Sequence, residues 1–406
     1  MKRLFFFVFA LMISLVEIAP QAEACTSAII SGRLTADGRP ILWKHRDTKE
    51  LNNRVDYHAR SKDNKYAFVA IVNGTDKIGQ AWMGVNEAGF CIINTASSPM
   101  RKFKEDENDQ EGYVMYKVLG CCRTVADFEA WLSSVKNQPV GVETNFGVID
   151  AEGGAAYFET NSYTYVKQDV NDPEVAPFGY KVYTNFSPSG KLDEGGGYMR
   201  YATASTKLQE RAISGVPVTA QWIADNLDRS FYHPLLGIDL VKNPEMTPSG
   251  WFYDMDFIPR KSTTSAAVIQ GVKKGEDPLL TVMWAILGYP PTSVSVPVMI
   301  ISGEDQPALV SRISKDDPTC LVCNAALARR AKVFCAKRGS EAPNYLHFSE
   351  VYNQEGTGYM QLLAPIEAKN YKDFDVLREK WLKAGKADKA ELKAYYQGRD
   401  FGLNVK

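Results

Sequence analysis

Apolar residues fall along this chain in short runs separated by turn signals, and the first run differs from the rest. Lys2 and Arg3 precede an apolar stretch from Leu4 to Val16, followed by Glu17, Pro20, Gln21 and Ala22-Glu23-Ala24. A basic start, a short apolar segment and a small-residue A-x-A site describe a secretory signal peptide. The stretch is shorter than the roughly 20 apolar residues a membrane span needs. Cutting after Ala24 gives a mature chain beginning Cys25-Thr26-Ser27, exported to the periplasm or secreted.

From Cys25 onward the pattern reads as strands. Thr26 to Ser31 is apolar and β-prone, Gly32 to Gly38 is turn material, and Pro40 to Trp43 returns as the second arm of a hairpin. Strands are expected at Tyr66–Val72, Ala81–Val85 and Phe90–Asn94, the last two joined by the turn Asn86-Glu87-Ala88-Gly89. Gly112 to Leu119, short and apolar, and Thr124 to Leu132 are expected as helices, the second with Thr124 as N-cap, Asp127 three residues on and a helical apolar period. Further strands are expected at Asn145–Asp150, Ala155–Glu159, Lys181–Phe186, Ser265–Val272, Thr281–Leu287 and Ser293–Ile301. Helices are expected at Leu208–Ile213, at Thr219–Leu227 and through most of the chain after Leu309. Pro290-Pro291 and polar residues mark Leu279 to Ile301 as core strands and not a membrane span. Periodicity alone establishes mixed α and β, consistent with two packed sheets and outer helices.

Composition narrows the function classes. Of 406 residues 45% are hydrophobic and 23% charged, as in ordinary globular proteins, and the net charge of −1 gives no field favouring nucleic acid. The charge-rich stretch Lys369 to Lys393 mixes both signs and reads as a solvated helical face. Seven cysteines leave at least one thiol unpaired. Cys121-Cys122 are expected at a helix end. The cluster Cys320, Cys323 and Cys335 lacks a fourth ligand at zinc spacing and reads as buried thiols or a structural disulfide.

An N-terminal Cys25 carries its own base. The α-amine and thiol have unperturbed pKa values of about 7.7–8.0 and about 8.5, both close to neutral pH. An N-terminal amine activating its own nucleophile needs no His. None of the four His (His45, His58, His233, His347) sits in a protease-like motif around a Cys. The competing reading is a lipid-modified Cys25 on a surface binding protein. Against it, Ala22 stands where that pathway usually has Leu, behind a polar spacer containing Pro20.

Several pieces in order carry a resemblance: Cys25-Thr-Ser, Thr35-Ala-Asp-Gly38, Lys44-His-Arg-Asp47, Gly84-Val-Asn-Glu-Ala-Gly89 with Asn94, Tyr183-Thr-Asn185, Gly197-Tyr-Met-Arg200-Tyr201, and Trp284-Ala-Ile-Leu-Gly288 with Ser293-Val-Ser-Val-Pro297. Over Cys25 to Ile301 the chain resembles the N-terminal nucleophile hydrolases, in the linear-amide branch of bile-salt and penicillin V acylases, isopenicillin acyltransferases and Cys dipeptidases. The resemblance implies an α+β fold, a four-layer αββα sandwich at 25–302, with a mostly helical extension at 303–406 packed on it. It implies Cys25 as nucleophile and its amine as base. Asp47 would hold the amine, and Asn185 would orient it or donate to the oxyanion. Asn94 would be an oxyanion donor, and Arg200 part of the charge network. Relatives place Arg three residues before the Asp, where this chain has Lys44. Whether Lys44 or Arg46 is the active-site cation stays open, and strand alternation puts both on one face, away from that of Asp47. The implied reaction is hydrolysis of a small-molecule amide with no cofactor or metal, and acyl transfer or dipeptide cleavage shares its thioester. A homo-oligomer stays open.

Overall fold

The computed structural model describes residues 24–76, 79–97, 110–135, 142–161, 163–244, 249–253, 256–336 and 345–406. Apart from Ala24, the expected signal peptide lies outside the described residues.

Two antiparallel sheets form the centre. The six-stranded sheet contains β1 (Cys25–Ile30), β2 (Ile41–Asp47), β10 (Tyr180–Tyr183), β14 (Thr263–Gln270), β15 (Val282–Leu287) and β16 (Ser295–Val298), in the order β10-β1-β2-β14-β15-β16. The seven-stranded sheet is a meander in chain order: β3 (Asn53–His58), β4 (Phe68–Asn73), β5 (Met83–Asn86), β6 (Cys91–Ala96), β7 (Thr144–Ile149), β8 (Ala155–Thr160) and β9 (Tyr165–Asp169). Two small ladders pair β11 (Tyr232–His233) with β12 (Ile238–Asp239), and β13 (Trp251–Tyr253) with β17 (Tyr345–His347).

Strands buried on both faces explain the near-continuous apolar runs, because each sheet is covered twice. Ile29, Trp43 and Val268 of one sheet share a core with Val69, Val85 and Ile93 of the other. The outer face of the seven-stranded sheet carries α1 (Glu111–Cys121) and α2 (Val125–Val135), with Phe128 packed edge-on to Phe146 and Phe158. The outer face of the six-stranded sheet carries α3 (Tyr198–Ile213), α4 (Ala220–Ile223) with a π-helical turn at Ala224–Asp228, α5 (Leu321–Val333), α7 (Tyr359–Ala384) and α8 (Lys389–Gln397), and the short α6 (Phe348–Val351) packs on α5, α7 and β13. The architecture is a four-layer αββα sandwich. Residues after 302 pack on it: Trp284 of β15 meets Tyr371 and Phe374 of α7 at ring-centroid distances of 3.9 and 5.1 Å.

The local signals act as their chemistry requires. Thr124 Oγ1 accepts from the Asp127 N–H at 3.0 Å while Asp127 accepts from the Thr124 N–H at 3.0 Å, a reciprocal cap. Asn86 does more than make a turn. Its Oδ1 accepts from the Ala88 and Phe90 N–H groups, and its Nδ2 donates to the carbonyls of Leu119 and Cys122 at the end of α1. Pro297 sits in β16, at the sheet edge where a missing N–H is tolerated. Cys121 and Cys122 end α1 as expected, with sulfurs 3.9 Å apart. Cys320 and Cys323 are buried free thiols at the start of α5, and Cys335 is exposed. No helix among the described residues is long and apolar enough to cross a membrane.

Candidate active site around Cys25

Cys25 opens β1 and pairs with β2 from its first residue, while β10 joins the other side of the strand only from Ser27 onward. The register places Arg46 across from Cys25, and Lys44 across from Ser27. Cross-strand partners share a face, so Cys25, Arg46 and Lys44 point to the same side. That side faces the second sheet. Lys44 Nζ donates to Asn94 Oδ1 at 2.6 Å and to the Trp82 carbonyl at 3.0 Å. Asn94 Nδ2 in turn donates to Thr144 Oγ1 at 3.1 Å. Arg46 Nη1 donates to Asn53 and Asn73, and its guanidinium lies over the Trp82 ring at 4.2 Å.

The bond before Cys25 is held from three directions. The Cys25 N–H donates to Asn185 Oδ1 at 3.1 Å. The Asp47 N–H donates to the Ala24 carbonyl at 2.8 Å. Arg200, buried to 3% exposure, donates from Nη1 to the Cys25 carbonyl at 2.5 Å and to Thr26 Oγ1 at 2.8 Å. Its Nη2 donates to Asn185 Oδ1 at 2.7 Å. One guanidinium thus ties the first two residues of β1 to Asn185, just past the end of β10. Burial and the like charge of Arg260 push the Arg200 pKa down to about 10, against the pull of Asp47 and Cys25. It stays a cation at neutral pH.

Gly197 lets Arg200 come this close. It precedes α3 with φ of 79°, and a Cβ there would lie 2.4 Å from Arg200 Nη2 and 2.9 Å from Thr184 Cβ. Only glycine meets both demands.

Asp47 lies on the opposite face of β2 from Lys44 and Arg46, as alternation requires. Its Oδ2 accepts from Arg260 Nε at 2.9 Å and Nη2 at 2.5 Å, and its Oδ1 accepts from Thr263 Oγ1 at 2.6 Å. Of the residues expected from sequence, the Asn185 and Arg200 side chains meet Cys25 directly, Asp47 reaches the Ala24–Cys25 bond through its backbone N–H, and the Asp47 carboxylate is gripped by Arg260 and Thr263. Lys44 and Asn94 form a second pair one register step inward. Arg260 and Thr263 escaped the sequence reading, since nothing near Arg260 separates it from an ordinary surface arginine. Two cavities of about 390 and 590 Å³ lie elsewhere, the first under α7 beside Arg39 and Arg378, the second between β3 and α1 beside His58 and Tyr116.

No family model and no curated protein matches this chain. In structure the chain is similar to a Caenorhabditis elegans ortholog of N-acylethanolamine-hydrolyzing acid amidase, at 14% identity and a TM-score of 0.39 over 60% of this chain and 92% of that one. It is similar to penicillin V acylase from Agrobacterium tumefaciens, at 14% identity and a TM-score of 0.39 over 71% and 90% of the two chains. It is similar to a mutant of conjugated bile acid hydrolase from Clostridium perfringens, at 12% identity and a TM-score of 0.39 over 68% and 93%.

Proposed function

We propose that this protein hydrolyses linear amides with Cys25 as nucleophile, after cleavage of the Ala24–Cys25 bond frees its amine. The observation that carries this reading is the hold on the Cys25 nitrogen: Asn185 Oδ1 accepts from it, and Arg200 fixes both Asn185 and the Cys25 carbonyl.

In the proposed reaction the free amine takes the thiol proton and the thiolate attacks the amide carbon. Asn94 has two amide hydrogens, one of them on Thr144, and the other serves the oxyanion. Asn185 keeps the amine oriented, and Asp47 steadies its charged form. Lys44 holds the Asn94 carbonyl so that the amide stays aimed. The ammonium then protonates the leaving amine, a thioester remains on Cys25, and water attacks it with the amine again as base. Buried Arg200 adds positive charge beside Cys25, which favours thiolate.

The test begins with the exported protein. Its intact mass and N-terminal sequence are expected to show a chain starting at unmodified Cys25. That protein should turn over members of a panel of acyl-amides and dipeptides, and Cys25→Ala should not. Dipeptide-only turnover would make it a dipeptidase, and acyl transfer to added amines a transferase. An active Cys25→Ala protein, or a lipid on Cys25, overturns the reading.

A further inference from the structure

The proposed reaction leaves unused a buried titratable pair whose hydrogen bonds lead back to Asp47. His45 and Asp228 are both 0% exposed, and His45 Nδ1 lies 2.9 Å from Asp228 Oδ1. Asp228 ends the π-helical turn, a local geometry often found at functional sites. The Trp43 indole N–H donates to the same oxygen at 2.8 Å. On the other side of the ring, His45 Nε2 lies 3.1 Å from Thr263 Oγ1, and Thr263 Oγ1 lies 2.6 Å from Asp47 Oδ1. A continuous buried chain therefore runs from Asp228 through His45 and Thr263 to Asp47.

A β-bulge makes this chain. Ala266 of β14 pairs with His45 and Ser265 with Arg46, yet Thr263 pairs with Asp47, so Thr264 is the extra residue. Without the bulge Thr264 would face Asp47. Bulges re-aim side chains in this way, often beside active sites.

Counting hydrogens fixes the directions. The Arg260 fork grips Asp47 as a carboxylate, which only accepts, so the single hydroxyl hydrogen of Thr263 goes to it. The Thr263 oxygen then accepts, from the Arg260 N–H at 3.0 Å and from His45. His45 must carry its hydrogen on Nε2, with one further proton held between Nδ1 and Asp228. The other charges near this pair are Arg229 of the same turn and its partners Asp225 and Glu367, with Arg229 Nη1 2.8 Å from Glu367.

We propose that His45, Thr263 and Asp228 are positioning residues that hold the Asp47 carboxylate fixed toward the Cys25 amine. The inference rests on the amide-hydrolase reading above. Its test uses the mature full chain.

Thr263→Val is expected to lower kcat by about 10- to 100-fold with KM nearly unchanged, the scale seen when outer partners of functional groups are removed. A loosened Asp47 stabilises the ammonium less, so the acidic limb of the kcat/KM profile moves to lower pH. Thr263→Ser restores both. His45→Gln keeps a donor near the Nε2 position and should stay closer to wild type than His45→Asn, which does not. The rate of Cys25 alkylation by iodoacetamide against pH, followed on its peptide, reads the same shift without substrate. Should Thr263→Val fail to fold, the isosteric Asp228→Asn replaces it, with the same expected shift. Folded variants with the wild-type kcat and pH profile overturn this inference. An inert Cys25→Ala control alongside them leaves the amide-hydrolase reading standing, whereas an active one removes both.

Discussion

Arg260 and Asp47 stand 213 residues apart and meet through a two-nitrogen grip on one carboxylate oxygen, at 2.9 and 2.5 Å. Asp47 is 1% exposed, and its charge needs a close counter-charge there. Arg260→Met is expected to destabilise the fold by about 2–3 kcal/mol, held below the deep-burial range because the Arg260 side chain is 21% exposed. Arg260→Lys keeps the charge without the planar fork and should recover part of the loss. Urea denaturation midpoints measure both.

Two glycines with similar backbones separate strain from collision. Gly197 and Gly215 have φ of 79° and 68°, but a Cβ at Gly215 meets nothing within 4 Å. Gly215→Ala should cost about 1 kcal/mol, the left-handed penalty alone. Gly197→Ala adds the clash with Arg200 and Thr184, so its cost should exceed about 2 kcal/mol and amide turnover should fall with it. Equal melting shifts for the two variants would contradict the close approach of Arg200.

Cys121 offers a pH-dependent reading independent of the active site. Its thiol is pulled down to about 7, first by the hydrogen bond from Cys122, whose sulfur is 3.9 Å away. The thiolate is the reactive form, so alkylation of the exposed Cys121 by iodoacetamide should rise through about pH 7. Cys122→Ala removes the donor and should move the curve upward, toward the ordinary thiol value of about 8.5. Peptide mass spectrometry at a series of pH values follows each cysteine separately. An unmoved curve in Cys122→Ala would show that the neighbour does not set the reactivity.

Much of the sandwich was legible because its inner strands are buried on two faces and read as apolar runs. The two missed strands of the seven-stranded sheet are its edges. Asn-Arg-Val-Asp-Tyr-His in β3 and Tyr-Val-Lys-Gln-Asp in β9 carry charges on half-exposed ladders, which blunts edge pairing and erases the apolar signal. Helix α3 begins ten residues earlier than its apolar period at Leu208, since its first turns mix Tyr198, Met199 and Tyr201 with Arg200 and small residues without a clear apolar stripe, and its N-cap is Gly197, not Ser, Thr or Asp. Within the site, Cys25, Asp47, Asn185 and Arg200 stand out beside turn and strand signals. Arg260 and Thr263 do not, because their importance comes from a bulge that only the paired strands reveal.

The hydrogen bond from the Asp47 N–H to the Ala24 carbonyl extends the β1–β2 pairing one residue past Cys25, onto the far side of the proposed cut. In an uncut chain the strand is thus zipped up to and across the proposed cut. In that precursor the Cys25 nitrogen is an amide, whose lone pair is delocalised and accepts no proton. The unprocessed chain would then be a finished scaffold with its reactivity switched off, and removing the leader would act as an arming step. Until that bond is cut, such a zymogen would leave the amides around it untouched.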